Sequence, residues 1–278
     1  MMGTVPMSDT EKAAGDTSGP ILAVRGLSKS YRGRAGDKLV LDGVDVEVAR
    51  GEFLCIVGPS GAGKTTLLRC MSGLLAPNAG AVFLDGERVT KPPARLAVVF
   101  QDYSRSLMPW MSVQANVVLP LRSKGMVKAE RVERARSALA AVGLSASGEQ
   151  YPWQLSGGMQ QRVAIARALA FEPEALLMDE PFASVDAQTR AELEDLILGV
   201  RREFGVTVIL VTHDIDEAVY LGDEVVVLSG TPTRVRERIR VELGPERDQL
   251  ATKALPEFAA LRTRVLRLIR GDDSDKGN

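Results

Sequence analysis

The sequence predicts an α/β fold with a mainly parallel sheet, and three observations support that prediction. Short apolar runs typical of strands buried on both faces recur along the chain, as at Phe53–Val57 and 206–211. Amphipathic helical stretches such as Ala187–Phe204 alternate with them. From about 112 to 142 the pattern is helical instead, within a predicted helical sub-domain at about 102–160. Strand–helix alternation interrupted in this way predicts a parallel sheet core with a helical sub-domain as an insert.

Each element follows from its local pattern. Residues 44–48 alternate apolar and polar side chains, as in a half-buried strand. Gly143 is a helix stop, and Ser156 and Asp214 can cap the helices that follow them. The predicted strands are 21–25, 44–48, 53–57, 82–84, 96–100, 175–178, 206–211 and 225–228, of which 225–228 is the last. The predicted helices are 64–75, 112–142, 157–171, 187–204, 214–221 and 256–270.

Composition narrows the class of protein. The chain has 278 residues, of which 45% are hydrophobic, and a formal net charge of -1, so no general basic field favours nucleic acid. Cys55 and Cys70 lack metal-ligand spacing and are expected to be reduced core thiols of a cytosolic protein. No apolar run approaches the roughly 20 residues that span a bilayer. Residues 1–20 lack the apolar core of a signal peptide and are expected to form a disordered tail.

The glycine-rich loop at residues 58–66 is the strongest indication of chemical function in the sequence. It follows a buried strand and opens a helix, which is the context in which this motif cradles phosphates. Glycines let backbone N–H groups turn toward a phosphate, and the helix N-terminus adds positive potential. Lys64 is expected to reach the β- and γ-phosphates of ATP, while the Thr65 hydroxyl ligates Mg²⁺. The alternative is a glycine turn with an incidental lysine. The predicted ATP-binding residues here are Gly58, Pro59, Ser60, Gly61, Ala62, Gly63, Lys64, Thr65 and Thr66.

Two further strand ends point to the same chemistry. The apolar run 175–178 ends in Asp179 and Glu180. Asp179 is expected to hold Mg²⁺ through water, and Glu180 to polarise the attacking water. His213 is the single histidine of the chain and ends the neighbouring predicted strand, where parallel sheets line their ligand crevice. We expect it to donate a hydrogen bond to the γ-phosphate, the alternative being a purely structural histidine.

A second helix N-terminus able to hold phosphate lies at Ser156, Gly157 and Gly158. One ATP molecule does not readily need two such cradles from one chain. The economical interpretation is a dimer in which the second cradle of each chain closes on the ATP of its partner.

With these motifs in order, the stretch 21–229 resembles the ATP-binding subunits of ABC transporters, a family of P-loop NTPases. The resemblance implies an N-terminal antiparallel β sub-domain and an ATPase domain over 21–230, followed by a partly helical extension over 231–278. It implies that Tyr31 stacks on adenine. It gives Gln101 a catalytic and Mg²⁺-contacting role at the start of the loop that couples the site to a membrane partner. Asp186 is implied at the dimer interface, with Val185 a departure from the usual leucine.

Two segments, 98–110 and 181–190, resemble the importers of the nitrate, sulfonate and taurine group. The chain is therefore expected to be the motor of such an importer, hydrolysing ATP to ADP and phosphate at the cytoplasmic face of the membrane. The expected partners are a second ATP-binding subunit, most simply an identical chain, integral-membrane permease subunits and an external solute-binding protein. The permease is expected to dock near Gln101 to Trp110. There Leu107, Met108 and Trp110 either form a groove for a permease helix or pack inside the helical sub-domain.

Other functions stay open at this point. The motor of an ABC exporter shares every core motif, and the resemblance of 98–110 is the argument against it. A soluble ABC ATPase of DNA repair or translation usually carries a coiled-coil insert or a second cassette. A non-catalytic regulator would lack Glu180 or His213, and both are present. The transported solute is left undetermined, because the permease and the binding protein select it.

Overall fold

The computed structural model describes residues 19–33, 36–102 and 106–271, so all but two residues of the predicted disordered tail 1–20 lie outside it. Its strands are β1 Leu22–Gly33, β2 Gly36–Val48, β3 Phe53–Val57, β4 Ala79–Leu84, β5 Glu87–Arg88, β6 Leu96–Val99, β7 Ala175–Asp179, β8 Thr207–Thr212, β9 Glu224–Ser229 and β10 Arg234–Arg240. Its helices are α1 Lys64–Met71, α2 Val113–Val118, α3 Lys128–Ala141, α4 Gly157–Leu169, α5 Ala187–Phe204, α6 Ile215–Leu221 and α7 Pro256–Arg270.

The larger sheet is the mainly parallel core that the sequence predicts. Its strands run in the order β10-β9-β3-β8-β7-β6, and every neighbouring pair is parallel except β10 with β9. All residues of β3, β7 and β8 are buried. Alternate side chains of β3 enter the two hydrophobic cores on opposite faces, Phe53 and Cys55 in one and Leu54 and Ile56 in the other. A strand covered on both faces has no polar alternation, which explains the continuous apolar runs.

The smaller sheet is antiparallel, in the order β2-β1-β4-β5, and confirms the predicted N-terminal β sub-domain. Its first two strands are much longer than the predicted segments 21–25 and 44–48. The pairing of β1 with β2 shifts register between Val24 and Leu27 and again before Ser30. Such bulges break the alternation of side chains that the sequence pattern relies on, although the ladder continues beyond them.

The helical insert lies between β6 and β7 and contains α2, α3 and α4, which contact one another. The predicted continuous helix 112–142 is wrong in its middle. A 3₁₀ turn spans Leu119–Lys124, and Gly125 ends it in a left-handed conformation with φ of 69°. Pro120 lacks the N–H that an α-helix would use there, so the chain turns and begins a new helix.

The extension after β9 holds one element that the sequence pattern did not reveal. We expected 225–228 to be the last strand, but β10 follows and pairs antiparallel with β9. Five of its seven residues are charged, because it is an edge strand in which Ile239 is the buried side chain. The helix predicted at 256–270 is present as α7, and its Phe258 and Val265 enter the core.

The members of the expected surface cluster, Leu107, Met108 and Trp110, differ in burial. Leu107 is 2% exposed and belongs to the core of the helical insert, so its assignment to a surface groove is wrong. The buried Asn116 side chain holds this segment, accepting from the Met108 N–H at 2.7 Å and donating to the Met108 carbonyl at 3.1 Å. Trp110 is 73% exposed and remains available to a partner. Residues 103–105 of the expected docking segment lie outside the described part of the chain.

Replacing Leu107 by alanine tests its burial. The change removes buried methyl groups and leaves a cavity, so we expect the free energy of unfolding to fall by about 2–5 kcal/mol. Denaturant titration of both proteins measures the loss. Trp110→Ala is the matched control, because an exposed side chain should change stability by less than about 0.5 kcal/mol. Equal stability of Leu107→Ala and the unchanged protein would contradict the buried position.

Candidate active site

The glycine-rich loop joins the buried end of β3 to the start of α1 and is shaped by close contacts. Gly61 and Gly63 adopt left-handed backbone conformations, with φ of 81° and 74°. A Cβ atom on Gly63 would lie 2.7 Å from Val40 Cγ1 and 3.0 Å from Leu41 Cδ2 of β2. Both the φ value and this contact demand glycine, so the antiparallel sheet packs directly against the loop.

Lys64 lies over the loop that precedes it. Its Nζ donates to the carbonyl oxygens of Gly58 at 2.9 Å and Pro59 at 3.2 Å, and lies 3.8 Å from Glu180 Oε1. The side chain is 6% exposed, and burial lowers the pKa of its ammonium group, while Glu180 and Asp179 oppose that shift. The ammonium therefore sits in a desolvated place where an added negative group would be favoured.

Thr65 and Asp179 provide oxygen ligands suited to Mg²⁺. Thr65 Oγ1 donates to Asp179 Oδ1 at 3.2 Å, and the Asp179 carboxyl is 5% exposed. Burial raises its pKa, because the bond from Thr65 and the nearby Lys64 compensate the charge incompletely. Among the described residues no three His, Cys, Asp or Glu side chains are grouped as metal ligands. One carboxylate and one hydroxyl fit Mg²⁺, which takes most of its ligands from phosphates and water.

Glu180 is directed into the site by an unusual backbone conformation. Its φ of 44° is left-handed for a residue with a side chain, and such strain clusters at functional sites. The Glu180 N–H donates to the Val211 carbonyl at 2.8 Å, which continues the pairing of β7 with β8. His213 follows β8 directly, and its Nδ1 lies 3.0 Å from Glu180 Oε2. The predicted adjacency of these two strand ends is therefore confirmed.

Two more predicted residues lie at the border of this group. Gln101, just after β6, places its Nε2 3.5 Å from Glu180 Oε2. Tyr31 on β1 hydrogen-bonds through its hydroxyl to Thr66 Oγ1 at 3.2 Å and leaves 41% of its surface exposed. An exposed ring beside the glycine-rich loop can stack on a planar base, and this role stays a prediction.

The second predicted cradle forms its own local structure. Ser156 caps α4, its Oγ accepting from the Met159 N–H at 3.3 Å, and Asp186 caps α5 by accepting from the Thr189 N–H at 3.0 Å. A Cβ on Gly158 would meet Thr189 Cγ2 at 2.4 Å, so the two helix starts touch. Among the described residues no hydrogen bond or ion pair joins Ser156, Gly157 or Gly158 to the glycine-rich loop.

Polar residues behind His213 escaped sequence reasoning. Glu217 stands three residues after the cap Asp214, which is capping-box spacing and the signal that could have found it. Instead of reaching the N–H of Asp214, it accepts from Thr212 Oγ1 at 2.6 Å, and Thr212 Oγ1 accepts from that N–H at 3.0 Å. Arg190 of α5 donates to Asp214 Oδ2 at 3.0 Å. The Thr212 bonds join residues close in sequence, whereas the bond between Arg190 and Asp214 joins distant segments, which a local pattern could not reveal.

Comparison with known sequences is consistent with this geometry. The profile of the ABC transporter family matches residues 41–183. An uncharacterised ABC transporter ATP-binding protein of Methanocaldococcus jannaschii is 46% identical over 251 residues, 90% of this chain and 92% of that protein. A taurine import ATP-binding protein of Chromobacterium violaceum is 46% identical over 244 residues, 86% of this chain and 92% of that protein. A nitrate import ATP-binding protein of Synechocystis is 38% identical over 260 residues, 92% and 97% of the two chains.

Solved structures show the same fold. A dimeric ATP-binding cassette in a post-hydrolysis state, bound to ADP and phosphate, matches with a TM-score of 0.69 and 32% identity. The match covers 80% of this chain and 99% of that one. A component of the CbiONQ ABC transporter complex of Clostridium perfringens matches with a TM-score of 0.72 and 30% identity, covering 80% and 89% of the two chains.

Replacing Asp179 by asparagine distinguishes its effect on the stability of the nucleotide-free protein from its effect on the binding of ATP with Mg²⁺. The pKa of Asp179 is raised in the folded state, so its stabilising contribution is present at low pH and lost as pH rises through that pKa. At pH 7.5 without nucleotide we therefore expect Asp179→Asn to melt at the same temperature as the unchanged protein or higher. ATP with Mg²⁺ at about 100 times Kd should stabilise the unchanged protein by about 2.7 kcal/mol.

The variant should gain much less from the same addition. Thermal unfolding with ATP, with and without Mg²⁺, measures both effects, and Asp85→Asn on the exposed turn after β4 is the control. Equal stabilisation of Asp179→Asn by ATP with Mg²⁺ would contradict a metal-holding role for Asp179.

Proposed function

The chain belongs to the ABC transporter family, and from that premise we propose that it hydrolyses ATP as the motor subunit of a solute importer. The proposal rests on the position of Glu180 between His213 and Lys64. Its carboxylate lies 3.0 Å from His213 Nδ1 and 3.8 Å from Lys64 Nζ, at the edge where the glycine-rich loop begins α1. Carboxylate, imidazole and ammonium together match the needs of phosphoryl transfer to water.

Each group has a distinct task in this proposal. Backbone N–H groups of the glycine-rich loop and the Lys64 ammonium hold the β- and γ-phosphates. Thr65, Asp179 and Gln101 hold Mg²⁺, which when bound neutralises the charge on the phosphate oxygens. Glu180 orients the attacking water and accepts its proton. His213 keeps Glu180 in place through Nδ1, and its other ring nitrogen remains for the γ-phosphate.

We propose that the site is completed by a second copy of the chain. Ser156, Gly157 and Gly158 form a helix N-terminus suited to phosphate, and Asp186 begins the adjoining helix. These residues lack a bond to the glycine-rich loop of their own chain within the described residues. The dimeric cassette with bound ADP and phosphate is a structural relative that supports this arrangement. ATP hydrolysis should therefore depend on dimerisation.

An apolar groove of about 200 Å³ supports docking of a permease helix. Its lining residues come from β6, the 3₁₀ turn, α4 and the segment just after α4: Ala97, Val98, Pro120, Ala164, Arg167, Ala168 and Phe171. Arg167 donates to the Ser106 carbonyl at 2.6 Å and to Ser106 Oγ at 2.8 Å, so the segment leading to Trp110 borders the groove. A short amphipathic helix is the ligand that such a groove accepts.

The nitrate import and taurine import names of two relatives support an importer of a small solute of the nitrate, sulfonate or taurine type. We further propose that an external binding protein delivers this solute. In the described ranges, no helix combines the length and the apolar character needed to cross a membrane. We place the chain at the cytoplasmic face, bound to its permease. The domain division that we propose is an ATPase domain over 21–230, with the helical sub-domain at about 102–160, and an extension over 231–278.

Glu180→Gln tests the hydrolytic carboxylate. The amide keeps the size of the side chain but no longer accepts a proton, so the ATPase rate should fall by about 10²–10⁴-fold while ATP binding persists. Size-exclusion chromatography with ATP should show an accumulated dimer. Glu133→Gln, an exposed carboxylate on α3, is the control for the substitution itself. Turnover by Glu180→Gln at the unchanged rate would refute the role of Glu180.

Trp110→Asp tests the permease surface. The side chain is exposed, so the variant should fold and bind ATP normally, while co-purification with the permease falls at least several-fold because an apolar anchor is lost. Val127→Asp is the matched control, since Val127 is 69% exposed and precedes α3, where aspartate is a favourable helix cap. Undiminished co-purification of Trp110→Asp would remove this residue from the docking surface.

A further inference from the structure

Buried and partly buried polar contacts hold the backbone on both sides of His213. On one side, Thr212 Oγ1 donates to Glu217 Oε2 at 2.6 Å and accepts from the Asp214 N–H at 3.0 Å. On the other side, Asp214 Oδ1 caps α6 by accepting from the N–H groups of Asp216 at 2.8 Å and Glu217 at 3.2 Å. The position of the imidazole therefore depends on where Glu217 and Asp214 are held.

Arg190 connects residues 212–214, the His213 turn, to α5, the helix that begins at the proposed dimer interface. It lies one turn after Asp186, the cap of α5. Its Nη1 donates to Asp214 Oδ2 at 3.0 Å, and its Nε lies 3.6 Å from Glu217 Oε1. One guanidinium thus fixes both carboxylates that hold the His213 turn, and a movement of the start of α5 would move that turn with it.

Residues of the C-terminal extension bond to a buried carboxylate of α5. Glu194, one turn further along α5, is 2% exposed. From the extension, Lys253 Nζ lies 3.2 Å from Glu194 Oε2, and Gln249 Nε2 donates to the same oxygen at 3.0 Å. Lys253 also lies over the ring of Tyr220 on α6, 4.7 Å from its centroid. A carboxylate buried this deeply is costly without such partners.

The charge on Glu217 depends on the groups that face it. Burial raises the pKa of Glu217 to about 7, and the negative charges of Asp214 and Glu194 add to that shift. Arg190 and the bond from Thr212 oppose it. The neighbour from β3 is the buried Cys55 thiol, whose own pKa is raised by burial. Lys253 balances the charge of Glu194, and so favours the ionised Glu217 that attracts Arg190.

We propose that Arg190, Glu217 and Lys253 are positioning residues for ATP hydrolysis, which hold His213 against Glu180 and give the C-terminal extension a part in turnover. Within the described residues, no hydrogen bond or ion pair joins their side chains to the glycine-rich loop. The inference rests on the proposed function, because it assumes that His213 and Glu180 act in hydrolysis. It predicts an effect on kcat without an effect on the KM for ATP.

The test is a double-mutant cycle on the full-length chain, with Lys253→Met, Glu217→Gln and the two combined. Lys253→Met should lower kcat about five-fold at pH 7, a size typical of coupled charged neighbours, with KM within about two-fold of the unchanged value. The acid limb of the kcat profile should move to higher pH, because unbalanced Glu194 raises the pKa of Glu217 further. Combined with Glu217→Gln, the same change should cost nothing more, since the amide carries no charge to perturb.

Controls separate positioning from stability. Lys253→Arg keeps the cation and should restore kcat, and Lys253→Gln replaces Lys253→Met if the latter does not fold. Independent, multiplicative losses in the combined variant would overturn the proposal, as would unchanged kcat in Lys253→Met or a lower melting temperature with no shift of the pH profile. If the unchanged chain does not hydrolyse ATP, the proposed function fails as well. If it does, and Glu180→Gln is inactive while Lys253→Met is normal, this inference alone fails.

Discussion

Three parallel strands, β3, β8 and β7, pair side by side in the centre of the large sheet and are buried on both faces. Their apolar side chains supply both hydrophobic cores, so the register of these strands is strongly determined. Because the strands are parallel, their carboxyl ends meet at one edge. The glycine-rich loop, Glu180 and His213 follow these ends directly. The geometry of the site therefore depends on the packing of these strands, which also carry Asp179 as the last residue of β7.

The site concentrates charges that would be unfavourable elsewhere. Lys64 and Asp179 are each almost fully buried. Burial lowers the pKa of Lys64 and raises the pKa of Asp179, so it favours the neutral form of both groups. Their mutual attraction offsets part of the desolvation cost, while Glu180 stabilises the Lys64 ammonium but adds to the upward shift of the Asp179 pKa. The left-handed conformation of Glu180 adds backbone strain at the same place. These features lower the stability of the chain without ligand but suit the binding of a phosphate and a divalent cation. Such a trade of stability for function is common at active sites.

Helix α5 links surfaces that would otherwise be separate. It begins at Asp186 beside the second phosphate cradle, continues through Arg190 behind the His213 turn, and passes Glu194, to which the extension is bonded. Contacts at the proposed dimer interface, at the His213 turn and at the extension are therefore all made by one continuous helix.

The sequence by itself determined the parts that depend on local rules. Spacing and periodicity predict the glycine-rich loop, the two carboxylates at the end of β7, the caps Ser156 and Asp214 and the bounds of α5, because neighbours in sequence supply their contacts. Only the tertiary structure decided the rest. Leu107 lies in the core because Asn116 and the insert fold over it, and the charged β10 is a strand because β9 offers it an edge. The cluster of Arg190, Glu217 and Lys253 is assembled from three distant segments, and residues far apart in sequence meet only when the sheet and its covering helices have packed.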